Sequence, residues 1–306
     1  MRGLVEGLER ACREHALVAM PADPTGGLAA MSLRDLLQTY GSWKARLVPA
    51  RPRTVHISSE LAASPEMAQH KTELNAIVAK MEAGALLRPH LSKRVRFAHD
   101  PAAKPGDPLQ RRKDRDLLIA DWGIHHLHLS SEEEANGSGF VKRGGPLVFA
   151  IFRPDDAYLI GVFSHGDWAL QKVLEIVVRN WPDAGLVLDS KNGLLPKHEF
   201  TDDDRLELRN GGIAAPPIVV DGKMWTSAAI GQTLDGSSSA SARQSAALMH
   251  VFREWREHEG ERLAEAASAV DALAGRPVTA EWEPFVHEER IGLLREGAFY
   301  GIADLL

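Results

Sequence analysis

Apolar residues recur along this chain with two periods. Up to about residue 50, and again from 59 to 83, they fall three and four apart, the spacing of one helix face. Leu33, Leu36 and Leu37 follow Ser32 and Asp35, which suit a capping box, and the turn at 21–27 separates this helix from an earlier one. Leu74, Ile77, Val78 and Met81 form a stripe closed by Gly84, and Pro65 breaks the same region into two helices. Strand-like alternation marks 54–58, 122–129, 146–152 and 157–163, the last two flanking the turn Arg153-Pro-Asp-Asp156. Asp167 is placed to cap a helix that Trp181-Pro182 stops. Further on, short strands are expected at 185–188, 205–209, 218–220 and 223–226, with Asp221-Gly222 as a hairpin signal. Ser241 and Gln244 suit a capping box for a long helix presenting Leu248, Val251, Phe252 and Trp255, continuing past Gly260, and a strand pair is expected in 278–306.

These elements predict an α+β protein in three segments: a helical N-terminal extension at 1–50, a central domain at 51–182 and a C-terminal α+β region at 183–306. The 306 residues, 44% hydrophobic and 25% charged, suffice for a sizeable core. No run reaches the roughly 18 apolar residues of a membrane helix, and the first residues lack the apolar core of a signal peptide. Cys12 is the single cysteine, so an internal disulfide and a thiolate zinc site are excluded, and a cytoplasmic protein is expected.

Net charge is −6, yet between 88 and 115 nine basic residues stand against three aspartates. That stretch leads into Asp121-Trp-Gly-Ile-His-His-Leu-His-Leu129, where three of the chain's thirteen histidines fall within four positions. On a strand His126 and His128 share one face and His125 takes the other, which makes His125 the structural member. His165 follows the last strand of the same meander. Imidazoles titrate near neutrality and suit proton transfer. Basic side chains nearby, Arg94, Arg96, Arg111, Arg112, Lys113, Lys142 and Arg143, suit phosphate. An alternative joins His126, His128 and His165 to Asp121 as metal ligands, with Asp121 out of phase on a regular strand. Asp189-Ser190-Lys191 has the Asp-x-Lys form of metal-dependent nucleases but lacks an assignable partner carboxylate. Walker, Rossmann and Gly-x-Ser-x-Gly motifs are absent. Trp122, Trp168 and Trp181 flank the histidines and suit either base stacking or packing.

From 51 to 166 the order is strand, two helices and a three-strand meander. Val55-His-Ile-Ser-Ser-Glu-Leu61, Ile77-Val-Ala-Lys-Met-Glu-Ala-Gly84, Leu147-Val-Phe-Ala-Ile-Phe152, Asp155-Asp156 and Tyr158-Leu-Ile-Gly-Val-Phe-Ser-His165 carry its local texture. The order resembles the RelE-like ribonuclease toxins of the barnase/EndoU/colicin/RelE group, over about 115 residues and without a diagnostic motif. The resemblance implies RNA as substrate, allows a protein inhibitor or antitoxin and a homo-oligomer, and implies a toxin or defence role. The expectation is therefore ribonuclease chemistry without metal or cofactor. In it His126 and His128 exchange protons, His165 and Arg143 hold the scissile phosphate, and Arg94, Arg96, Arg111, Arg112, Lys113 and Lys142 bind the RNA. A non-catalytic interaction module with structural histidines, or a metal-dependent hydrolase, are the alternatives.

Overall fold

The computed structural model describes all residues except 1, 24, 101–111, 191–199, 212, 215, 230, 235, 259–264, 266–267, 270–271, 273–282, 296–297 and 306. The fold is mixed α+β and forms two compact units, 1–41 with 241–306, and 42–240. Those limits differ from the segments 1–50, 51–182 and 183–306 drawn from the sequence.

In chain order, the amphipathic helix α1 (Arg2–Ala19) is followed by the single turn α2 (Gly27–Ala30) and by α3 (Leu33–Lys44). Ser32 accepts from the Asp35 backbone N–H at 3.2 Å and donates to its carboxylate at 2.7 Å, closing the start of α3 as its spacing predicts. Next come β1 (Thr54–Ile57), then α4 (Ser59–Ala62), α5 (Pro65–Gln69) and α6 (Lys71–Glu82). Ser58 and Ser64 cap the first two of these helices, so the break predicted at Pro65 is present. Gly84, at φ +70°, ends the α6 region where a β-carbon would press on the backbone of Arg51 and Pro52. The central meander follows: α7 (Leu117–Trp122), β2 (Ile124–His128), β3 (Leu147–Phe152) and β4 (Asp156–Phe163). After it come α8 (Gln171–Asn180), β5 (Val187–Asp189), α9 (Asp202–Asn210), β6 (Ile218–Val220) and β7 (Lys223–Ser227). The chain then continues through α10 (Ser239–Glu257) to β8 (Glu283–His287), β9 (Arg290–Arg295) and β10 (Ala298–Asp304).

Two expectations need correction. The predicted strand at 205–209 is the helix α9, because Thr201 and Asp204 form a capping box and acids fill the first turn. Arg205 and Arg209, four apart, share its buried face. The strand drawn from Trp122 starts at Ile124, because Asp116 caps α7 and Gly123, at φ +66°, ends it. The proposed tail pair is a three-stranded antiparallel sheet, and the helical continuation past Gly260 lies outside the described residues.

In the unit 42–240 the main sheet has the order β1-β4-β3-β2, antiparallel except for the parallel pair of β1 and β4. Alternation divides its side chains between two layers. Leu147, Phe149, Ile151, Tyr158 and Ile160 pack with α8 and with residues of the small sheet β5-β7-β6. Leu127, Val148, Ala150, Ala157 and Leu159 pack with Leu61, Leu74, Ile77 and Met81 from α4 and α6. Both faces are therefore covered. In the other unit α1 packs on β8 and β9, and Tyr40 donates to Glu289. No helix among the described residues is long and apolar enough to cross a membrane.

Candidate functional site

The register of β2 against β3 sets His126 opposite Phe149 and His128 opposite Leu147, both on the face shared with Ile124 and Ile151. Trp168, just past β4, stacks on Phe149 with ring centroids 5.7 Å apart and 12° between planes. Its indole lies 5.0 Å from the His126 ring and 5.8 Å from the His165 ring. His126 and His128 are 6.1 Å apart between centroids, and His128 and His165 are 5.4 Å apart. The three imidazoles named from the sequence thus border one cavity of about 490 Å³. His165 is exposed at its rim, whereas His128 is 5% exposed.

His125 takes the opposite face, edge-on to Phe152 at 5.3 Å between centroids, and burial pushes it down to about 4. His90 also stands outside the cavity. Its Nδ1 lies 3.0 Å from the His128 carbonyl and its Nε2 2.8 Å from the Lys80 ammonium. A lysine can only donate, so Nε2 accepts and Nδ1 carries the proton that tethers the end of β2.

The cavity wall is cationic. Among the described residues Arg94, Arg143, Lys93, Arg115 and Arg209 line it, against the single carboxylate of Asp116. Each cation is held from behind. Arg143 donates to the Leu91 carbonyl at 2.8 Å and lies over the Phe140 ring, with Glu134 3.9 Å from its Nε. Arg94 donates to the carbonyls of Arg112 and of Arg115, the latter at 2.7 Å. Lys93 pairs with Glu134 at 2.6 Å, and Arg115 with the buried Asp114 at 2.8 Å. Arg209 pairs with Asp121 at 3.3 Å and donates to the Trp168 carbonyl. The fold thus orders this cluster by lending it carbonyls and second-rank carboxylates, while its field still faces the cavity.

That setting keeps the two strand imidazoles neutral. His128 is pushed down to about 3, first by burial and then by Arg143 and the neighbouring histidines. His126 is lowered by burial, with Asp116 opposing the shift. Because the folded chain refuses protons that the unfolded chain accepts below about pH 6.5, stability must fall as the pH drops from there toward the lowered values. Between pH 7 and 5.5 the denaturation free energy is expected to fall by roughly 2–3 kcal/mol, from His125 and His128 together. Urea titrations at the two values check this.

Other sequence candidates lie elsewhere. Lys142 is exposed and paired with Glu132, Arg112 pairs with Asp114 at 2.8 Å, Lys113 lies over Phe97, and Arg96 is exposed; none borders the cavity. Arg111 and Lys191, the latter from the Asp189-Ser190-Lys191 tripeptide, lie outside the described residues. The metal-ligand version loses Asp121, whose carboxylate sits on α7 against Arg209 rather than with the imidazoles. Among the described residues no group of three or more His, Cys, Asp or Glu side chains is arranged to hold a metal ion.

No family model, curated protein or solved structure matches the chain.

The sequence reading missed Asp116 and Arg209, and took in Lys93 and Arg115 only as members of the basic stretch 88–115. Arg209 was hidden by the assignment of its helix as a strand. Asp116 carried a findable signal, an N-cap residue directly before Leu117-Leu118. If the cavity wall holds an anion, Arg143→Ala is expected to weaken binding of a phosphate-rich probe about tenfold or more. Lys142→Ala, at a solvated pair, is expected to leave it within about twofold. Filter binding at one fixed salt concentration separates the two.

Proposed function

We propose that the unit 42–240 is a metal-independent endoribonuclease of RelE-like type. The observation that carries the reading is the convergence of His126, His128 and His165 on one cavity with Arg94 and Arg143. The element order β1, helices α4 to α7, then β2, β3 and β4 supports this reading through its strand, helices and three-strand meander. In the reaction a neutral imidazole takes the 2′-hydroxyl proton, and the 2′-oxygen bonds to phosphorus. The P–O5′ bond breaks as the proton so taken, relayed from one imidazole to the other, passes to the leaving oxygen. His126 and His128 serve the proton transfers, and Arg143 with His165 holds the phosphate, whose added charge the guanidinium meets in the transition state. Products with 2′,3′-cyclic phosphate and 5′-hydroxyl ends follow from this chemistry. The test incubates the purified chain with RNA in the presence of EDTA and identifies the ends by mass spectrometry. Cyclic-phosphate ends, and no cut at a 2′-deoxy position, support the reading. Intact RNA, or cleavage that EDTA abolishes, overturns it.

A further inference from the structure

We infer that Asp116 is a positioning residue that selects His126, rather than His128, as the base of the proposed proton transfer. The inference rests on the ribonuclease reading for its reaction, but its geometry stands apart from it. Asp116 does two things at once. Its Oδ1 caps α7 by accepting from the Ile119 backbone N–H at 3.4 Å. Its Oδ2 then lies 3.9 Å from Nδ1 of His126. Both of those atoms are buried without a hydrogen-bond partner, and the Asp116 side chain is 5% exposed. Two unpartnered buried polar atoms are costly, and a shift of about 1 Å joins them in one charge-assisted bond.

The direction of that bond fixes the tautomer. A carboxylate can only accept, so Nδ1 of His126 carries the proton and Nε2 keeps its lone pair. Nε2 lies on the other side of the ring, and His126 borders the cavity between Asp116 and Trp168. When Nε2 takes up a proton, the imidazolium forms beside a carboxylate that stabilises it. His128 has no such partner. Its Nδ1 is buried and unpartnered, no carboxylate pairs with it among the described residues, and Arg143 and two imidazoles surround it. Burial and Arg143 oppose a positive ring at both positions, and at His126 the carboxylate of Asp116 offsets part of that opposition. Asp116 also sits in the field of Arg46, a buried guanidinium that donates to the carbonyls of Arg94, Lys113 and Phe97. This ties the carboxylate to the same scaffold that holds the cations.

The experiment compares Asp116→Asn and Asp116→Ser, both good helix caps, so α7 keeps its start in each. Serine is too short to reach His126. The expected result is a fall in kcat of at least about 10²-fold in Asp116→Ser, with KM little changed and the acid-side limb of the pH profile, which reports the base, shifted to lower pH. In the RNA-free protein, ¹⁵N spectra are expected to show His126 protonated on Nδ1 in the wild type, with that signature lost in the serine variant. If both variants fold and keep the wild-type kcat and His126 spectrum while His126→Ala is inactive, Asp116 is only a helix cap and this inference falls alone. If His126→Ala stays active, the ribonuclease reading falls, and the ¹⁵N comparison still decides the Asp116–His126 bond.

Discussion

Replacing His126 or His128 with alanine is expected to slow the proposed RNA cleavage by about 10²–10⁴-fold each, the usual worth of one positioned proton-transfer group. The two losses should not multiply in the double variant, because groups that act in one transition state fail together. The fold is expected to survive either change. Nδ1 of His128 has no hydrogen-bond partner among the described residues, so truncation there strands no buried donor or acceptor, while at His126 it leaves the buried Oδ2 of Asp116 without the imidazole 3.9 Å away. What is lost is contact with Trp168 at His126 and with His165 at His128. Steady-state kcat/KM on a short RNA, beside a thermal melt of each variant, checks the prediction. Activity within about threefold of wild type in both variants would remove these histidines from the reaction.

Asp121→Ala is expected to be the most destabilising single change near the cavity, costing about 3–5 kcal/mol. Asp121 is 1% exposed and Arg209 4% exposed, and they face each other at 3.3 Å. Burial already lowers the Arg209 pKa, with Asp121 opposing the shift. Removing the carboxylate leaves a buried cation with the Trp168 carbonyl as the hydrogen-bond acceptor its side chain keeps among the described residues, and Asp116 as a further counter-charge. A guanidinium cannot escape by losing its proton near neutral pH, so the penalty falls on folding. Asp121→Asn keeps an acceptor in place and should cost less. Urea denaturation of the three proteins orders them. A loss under about 1 kcal/mol in the alanine variant would mean that Arg209 finds another partner.

The histidine site was legible for one reason: strand alternation is a period of two, and it fixes which face a side chain takes without knowledge of the neighbouring strands. Residues 126 and 128 had to share a face, and 125 had to leave it. The hairpin of β3 and β4 was legible from Arg153-Pro-Asp-Asp156, and that of β6 and β7 from Asp221-Gly222, where both turn residues have positive φ. The cavity-lining cations were harder to find. Local charge density pointed to the whole basic stretch, yet only side chains given backing by Leu91, Arg112, Asp114 or Glu134 turn toward the cavity, and those partners come together only in three dimensions. Arg96 and Lys113 stand within three residues of cavity-lining cations and remain in solvent. The segment 205–209 reads as a strand taken alone; the Thr201–Asp204 cap before it and two arginines four residues apart are the signals that mark α9 as a helix.

The sheet that carries β2 is clamped between two apolar layers, and its last rung is hooked by His90 to the end of α6. Swinging the imidazoles would mean prising one of those layers open, so the recess is a rigid mould. Accommodation then falls to the guest. For a polynucleotide this means that one residue must leave its stacked companions at the mouth, which favours slack, unpaired stretches over duplex.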